Sequence, residues 1–354
     1  MGIKNLNKLL RSKCPQVFKK VHMSKYAYKK IAIDVSLFLC KFKAINGDNW
    51  ISSFVNLIAL LRENDVHCVF IFDSGYPPEK INEKEERTLA REKTINRIAV
   101  LEKAIQKFDE SGEYDHILDE VYRKLDNNHF NFSNRHHNHF KMKLIREKVA
   151  KMKSNVFSIS KNDFVLLQQL FNLLKVSYFL APLEAETMCA DMCKRKLVDA
   201  VLTEDTDALA YGCNVFLTKI DFVNFTCIEI NHCEMLQALK LSYDEFLDLC
   251  IMCGTDYNKN IPKIGFETAY KYIMHYKSIE NLKEKLGIDV SILKHEDSRR
   301  LFKDYERYVF VDCEIPYNGF PDYDSLKSFI SSNTFFCNIN RLINSYKYNV
   351  VFIE

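Results

Sequence analysis

Seven acidic residues hold the chemistry open to this sequence: Asp34, Asp73, Glu184, Glu186, Asp205, Asp207 and Asp256. Four of them form i, i+2 pairs, Glu184-Ala185-Glu186 and Asp205-Thr206-Asp207. Inside a helix such neighbours point apart. On the extended end of a strand they share a face and both approach one site. Carboxylates gathered in this way cannot all stay ionised without cations, because each like charge raises the pKa of the others. Hard divalent cations that prefer oxygen, Mg²⁺ or Mn²⁺, relieve that repulsion. Two such ions roughly 4 Å apart would activate a water and stabilise the leaving oxygen of a phosphodiester. Metal-assisted hydrolysis of a nucleic acid is the leading reading.

The elements that must position these acids are legible as patterns. Four β-branched or aromatic runs end in an acid: Lys30 to Asp34, Cys68 to Asp73, Val176 to Glu184, and Ala200 to Asp205. Helical patterns lie between them at Trp50–Glu63, Phe164–Leu174 and Ala185–Lys196. Alternation of this kind predicts an α/β fold, a mostly parallel central sheet flanked by helices. Ligands of such sheets bind beyond the carboxyl ends of the strands, which is where the acids fall. Residues 80–155 interrupt the pattern with a charged helical excursion. It comprises one or two helices, an Asn- and His-rich loop at 127–139, and a basic helix Lys141–Lys153. An insertion this long between strands is usually a lid or binding arm. A second unit is expected after residue 215, with helices at Tyr243–Cys253 and Phe266–Tyr276. The last forty residues are aromatic-rich and carry no recognisable motif.

Composition narrows the class. In 354 residues, 47% are hydrophobic and 27% charged, an ordinary globular balance that excludes global disorder. No apolar run approaches the roughly 18 residues that would span a bilayer. The start, Met1-Gly2-Ile3-Lys4-Asn5, leads into no apolar signal core, and Leu6 stands where a myristoylation signal needs Ser or Thr. The net charge of +3 is uneven. Residues 1–45 carry eleven basic side chains against one acid (11 − 1 = +10), residues 80–153 carry 17 against 13 (17 − 13 = +4), and the remainder is acidic. A basic segment beside an acidic remainder suits a polyanion partner, although a solvated lysine face gives the same count. The twelve cysteines are irregularly spaced within apolar stretches, as buried thiols are in a reducing intracellular compartment. Cys250-Ile251-Met252-Cys253 has no matching second pair for zinc. His136, His137 and His139 fall in a polar run that reads as a solvated loop.

Taken in order, the motifs resemble the XPG family of structure-specific 5′ nucleases, the flap endonucleases among them. The resemblance rests on Met1-Gly2-Ile3-Lys4-Asn5-Leu6, Ala32-Ile33-Asp34, Phe72-Asp73-Ser74-Gly75-Tyr76-Pro77-Pro78, Ala181-Pro182-Leu183-Glu184-Ala185-Glu186, Thr203-Glu204-Asp205-Thr206-Asp207, and Cys253-Gly254-Thr255-Asp256-Tyr257. Each alone is weak, but the ordered set is highly specific, and it covers residues 1 to about 276. It implies a PIN-like nuclease fold with a helical arch and a helix-two-turn-helix element on DNA. It also implies two Mg²⁺ ions (Mn²⁺ substituting) on the seven acids. Lys80 and Arg87 then match cations at the base of the arch that contact the scissile phosphate, and as bare chemistry two helical turns would place them on one face. Arg91 extends that face. Gly2 matches the family's N-terminal residue near the active site. Lys259, Lys263 and Gly265 fall in the element that grips duplex DNA through amides at a helix N-terminus, where a K⁺ ion is usual.

The implied organisation is a nuclease domain in two parts, 1–79 and 156–230, an arch at 80–155, a helix-two-turn-helix region at 231–290, and a C-terminal region at 291–354. Three departures from the family pattern stand out. Lys263 replaces a usual glycine, so the turn must tolerate a side chain or differ. Cys40 stands where a base-stacking Tyr is common, so stacking is lost or moves to Phe38 or Phe42. The arch looks longer than usual, with the surplus near 110–140. Asn, Lys and Ile richness would suit a large DNA virus. No sliding-clamp motif appears, and nothing demands more than a monomer. The expected partner is branched or flapped duplex DNA, with no membrane. Cleavage at 5′ flaps leads, a Holliday-junction nuclease follows within the family, and a catalytically silent DNA-binding scaffold or an RNA-directed nuclease would be of another kind.

Overall fold

The computed structural model describes residues 2–125, 135–305, 307–312 and 314–346. Seven strands form one sheet: β1 Lys19–His22, β2 Lys30–Asp34, β3 His67–Phe72, β4 Ser177–Leu180, β5 Ala200–Leu202, β6 Val215–Asp221 and β7 Thr226–Asn231. Their spatial order is β1-β7-β6-β5-β2-β3-β4. The pairings β5·β6, β2·β5, β2·β3 and β3·β4 are parallel, and only β7 runs antiparallel to its neighbours β1 and β6. Every residue of β3 is buried, which explains its unbroken apolar run: both of its faces are covered. Because β6 and β7 extend this sheet, no separate unit begins after residue 215.

Beneath the sheet, Phe42, Phe54, Phe70, Phe72 and Phe171 interlock. Phe70 and Phe171 stack at 4.2 Å, while Phe42 and Phe54 meet edge-on at 4.9 Å. Rings of this size contribute about 1.5–3 kcal/mol each when fully buried. Phe38 and Phe42 are both in this core, so neither takes over the stacking role that Cys40 leaves open. Helix Leu6–Lys13 buries Leu6, Leu9 and Leu10, an i, i+3, i+4 stripe, and Lys4 N donates to Gly254 O at 3.0 Å. Helices Lys161–Leu173 and Tyr243–Cys253 both begin with capping boxes, Ser160 with Asp163 and Ser242 with Glu245. Cys250 and Cys253 sit buried on the second of these helices as core thiols.

The C-terminal residues, which the sequence left without a role, strap the amino ends of β2 and β3. Asn318 donates its amide to Cys68 O at 3.0 Å, accepts from Cys68 N at 2.9 Å, and sends its own N–H to His67 Nδ1 at 3.1 Å. Lys30 Nζ donates to Ile315 O at 2.5 Å. Two helices follow, Tyr323–Ser332 and Ile339–Tyr346.

A second compact unit comprises residues 43–47 and 81–159. Its helices are Ile81–Ser111, His116–Leu125 and Arg135–Ser154. They share a core of their own in which Ile98 and Leu101, Leu118 and Tyr122, and Ile145 and Val149 are buried at i, i+3 or i+4 spacing. The last helix starts within the stretch expected as a loop. Residues 127–134 of that stretch, and the side chains of His136, His137 and His139, lie outside the described residues. Among the described residues, no helix is long and apolar enough to cross a membrane.

Candidate active site

Four adjacent strands, β5, β2, β3 and β4, run parallel, so their carboxyl ends form one rim. Asp34 ends β2, Asp73 follows β3, Glu184 lies four residues past β4, and Asp205 three past β5. Backbone lacing fixes the rim. Ala181 N donates to Phe72 O at 2.8 Å, Ser74 N to Leu183 O at 3.0 Å, and Ala185 N to Asp73 Oδ1 at 2.8 Å.

The two i, i+2 pairs reach the site by a route other than an extended strand end. Glu184 is the N-cap of helix Ala185–Lys194, with extended φ and ψ, and Glu186 lies in the first turn. Asp207 likewise opens the short helix Asp207–Ala210, and its N–H donates to Asp205 Oδ1 at 2.9 Å. The change of backbone direction at a helix start brings both members of each pair to one side. A helix N-terminus also favours negative charge.

Burial and mutual repulsion raise the pKa of several acids. For Asp34 the first cause is burial and the second Asp73; for Asp207, burial and then Asp205. Glu186 and Asp205 are also pushed up by burial. Lys80 lies at the centre, on the turn Pro78–Lys80. Its Nζ pairs with Glu184, with Asp256 at 3.1 Å and with Glu186 at 3.4 Å. Burial alone would lower the Lys80 pKa, but Glu186, Glu184 and Asp256 outweigh it and hold the ammonium charged. Gly2 packs against the same group with φ +81; a Cβ there would collide with Asp205 Oδ1 and stand 2.7 Å from Asp207 Oδ1. No residue but glycine fits both demands.

The donor set fits a hard divalent cation. Asp207 is fully buried, and neither of its carboxylate oxygens has a hydrogen-bond partner. An anion in that position calls for a cation, since an unpaired buried charge is costly. Among the described residues, no three His, Cys, Asp or Glu side chains are closed around one point. Three of the acids, Glu184, Glu186 and Asp256, instead gather on Lys80, whose single charge offsets only part of theirs.

Other residues named from the sequence lie elsewhere. Arg87 and Arg91 are exposed on helix Ile81–Ser111, with Arg87 paired to Glu83. Lys80 ends the turn Pro78–Lys80 immediately before that helix and is buried, whereas Arg87 is exposed. Lys259, Lys263 and Gly265 are exposed between helices Tyr243–Cys253 and Phe266–Tyr276. Lys263 adopts φ +66, in the left-handed region that favours glycine, so the turn carries a side chain there. Gly265 is the N-cap of Phe266–Tyr276, has no side-chain cap, and opens onto free space. Nearby, the Asn260 amide meets Ile261 O at 3.3 Å and Ile264 O at 3.2 Å.

Two buried phenols were not singled out from sequence. Tyr257 donates to Glu184 Oε2 at 2.8 Å, and its oxygen lies 2.5 Å from that of Tyr211. Burial pushes both phenol pKa values up. Tyr257 had one signal, its place directly after Asp256; Tyr211 had none.

Comparison with known proteins agrees with this geometry. The XPG N-terminal domain model matches residues 1–94 and the XPG I-region model residues 175–256. A probable RAD2-like endonuclease of Invertebrate iridescent virus 6 is 32% identical over 340 residues, covering 86% of this chain and 80% of that protein. The chain belongs to the XPG family. Flap endonuclease 1 of Enterocytozoon bieneusi is likewise 32% identical over 319 residues, covering 85% of this chain and 77% of its own. The fold matches the catalytic core of Rad2 in complex with DNA substrate, with TM-score 0.66, 17% identity and coverage of 97% and 100%. It also matches human GEN1 in complex with Holliday junction DNA, with TM-score 0.62, 18% identity and coverage of 98% and 78%. XPG members are structure-specific 5′ nucleases that act on branched DNA and generally depend on divalent metal. The N-terminal model spans Gly2, Asp34, Asp73 and Lys80, and the I-region spans the other five acids.

Proposed function

We propose that this XPG-family chain hydrolyses branched DNA at the rim of β5, β2, β3 and β4, using two divalent cations and preferring the base of a 5′ flap. One observation supports this above the others: acids from four distant parts of the chain converge on one rim, and Asp207 there has no partner for either oxygen. Asp34, Asp73, Glu184, Glu186, Asp205, Asp207 and Asp256 would hold the cations, Mg²⁺ or Mn²⁺, which supply Lewis-acid polarisation of the phosphodiester and an activated water. Lys80 keeps Glu184, Glu186 and Asp256 together and brings positive charge to where the phosphate's charge develops. Gly2 leaves room beside Asp205 and Asp207. Arg87 and Arg91 steer the single strand. The uncapped amides after Gly265, with Lys259 and Lys263, take the duplex backbone, with a K⁺ ion at this helix-two-turn-helix element. Affinity so built is salt-dependent and indifferent to sequence.

The test compares end-labelled single-flap, nicked, Holliday-junction and single-stranded DNA, with Mg²⁺ and with EDTA. Mg²⁺-dependent cuts at the flap base support the proposal. Paired symmetric cuts on the four-way junction would replace the flap preference with junction resolution. Tight binding without cleavage of any substrate would refute hydrolysis altogether.

A further inference from the structure

The hydroxyl of Tyr257 has one proton, and it is committed to Glu184 Oε2 at 2.8 Å. Across the 2.5 Å contact with Tyr211, Tyr257 must therefore accept and Tyr211 donate. Thr187 lies on helix Ala185–Lys194, the helix that Glu184 caps. Glu184 Oε1 is meanwhile held by Lys80.

The two phenols are clamped from one side. Phe302, fully buried on helix His295–Lys303, lies 4.8 Å from the Tyr211 ring and 5.3 Å from the Tyr257 ring. The Tyr305 ring stands 5.7 Å from that of Tyr211, and its hydroxyl donates to Asp191 at 3.3 Å. Asp191 belongs to the same helix as Thr187 and pairs with Arg195 at 2.7 Å.

We propose that Tyr211 and Tyr257 form a positioning relay that fixes the orientation of Glu184 and so sets the cation affinity of the acidic rim, with Phe302 and Tyr305 as its clamp. The proposal rests on Glu184 being a cation ligand, as stated above. Partners in an outer shell orient the ligand carboxylate and typically change metal affinity 10- to 100-fold when lost. Glu184 is the ligand most exposed to this control, since its second oxygen has only the phenol as an uncharged donor.

The experiment measures Mn²⁺ binding to the full, DNA-free chain from the free-ion EPR signal, for wild type, Tyr257→Phe and Tyr211→Phe. Tyr257→Phe should weaken binding about 10- to 100-fold. Tyr211→Phe should weaken it less, because the Tyr257 hydroxyl remains but loses its orientation. The Mn²⁺ midpoint for cleavage should rise in the same order, with DNA affinity in Ca²⁺ unchanged. Wild-type Mn²⁺ affinity in both variants, whatever their melting temperatures, would reduce the pair to packing and overturn the relay. If Tyr257→Phe does not fold, Tyr211→Phe decides alone. Wild-type protein that binds no Mn²⁺ would instead overturn the metal reading on which the relay depends.

Discussion

In the sheet-bearing unit, Lys80 pairs with Glu184 across 104 positions of sequence, and Cys68 with Asn318 across 250. In the helical unit, the buried residues all fall between Ile98 and Val149, and the ion pairs Lys141–Asp119 and Arg146–Asp109 stay within that span. The first unit buries its charges and holds them by non-local contacts; the second leaves its charges in water around a local core. Hydrolysis needs carboxylates fixed to within a fraction of an ångström, and only a densely interlocked core enforces that. A surface that meets flexible single strands needs charge more than rigidity.

Variants on each side can break this contrast. The largest effect is expected for Asp205→Asn: cleavage should fall at least about 10³-fold while DNA affinity in gel shifts stays near wild type. An active variant would remove Asp205 from the chemistry. Next comes Arg299→Ala, which strips the guanidinium from buried Asp248, now bonded to it twice at 2.6 Å. Losing one partner of such a pair should cost about 3 kcal/mol, read as a lower urea midpoint together with lost cleavage. Leu101→Ala in the helical core should cost a similar 2–5 kcal/mol but unfold the helical unit alone. Calorimetry would then show that unit's transition moving while Mn²⁺ binding persists; loss of both at once would dissolve the distinction between the units.

A subtler contrast lies in pH. Burial is the first cause that lowers His67 and His232 of the sheet-bearing unit to about 4, and His67 Nδ1 accepts from Asn318 N, as a neutral ring does. The unfolded imidazoles titrate near pH ~6.5. Below that value the unfolded chain takes up protons that the fold refuses. Stability is therefore complete above about pH 6.5 and falls towards about 4, by about 1.4 kcal/mol per unit for each ring. Urea midpoints at pH 7 and 5 measure the loss, which His67→Gln should lessen. The smallest effect is Lys263→Gly: relieving φ +66 should add about 1 kcal/mol, visible as a slightly higher melting temperature.

What could be read from sequence divides along the same line. The strands Lys30–Asp34, His67–Phe72 and Ala200–Leu202 and the helix Trp50–Glu63 are strongly patterned, since β-branched runs and a 3.6-residue period survive without tertiary help. Asp34, Asp73, Glu184 and Asp205 stood out because each ends a β-branched or aromatic run. The polar, half-exposed strands β1, β6 and β7 did not, because their alternation is weak and their partners lie far along the chain. Pro77-Pro78 marked where the helix starts, but not that Lys80 is buried against Glu184, Glu186 and Asp256. Phe302 and Tyr305 gave no signal at all: an aromatic on an amphipathic helix, or just past its end, looks the same whether it meets solvent or a phenol beside a carboxylate.

The position of Phe302 also bears on synthesis. A chain emerging from the ribosome has made all seven acids by residue 256, yet Tyr211 and Tyr257 lack their buried neighbour until residue 302 has left the exit tunnel. His67 and Cys68 wait longer still, for Asn318. Contacts of such span form late in folding. The nascent chain thus carries all seven acids before the contacts that brace the rim from Phe302 and Asn318 can form.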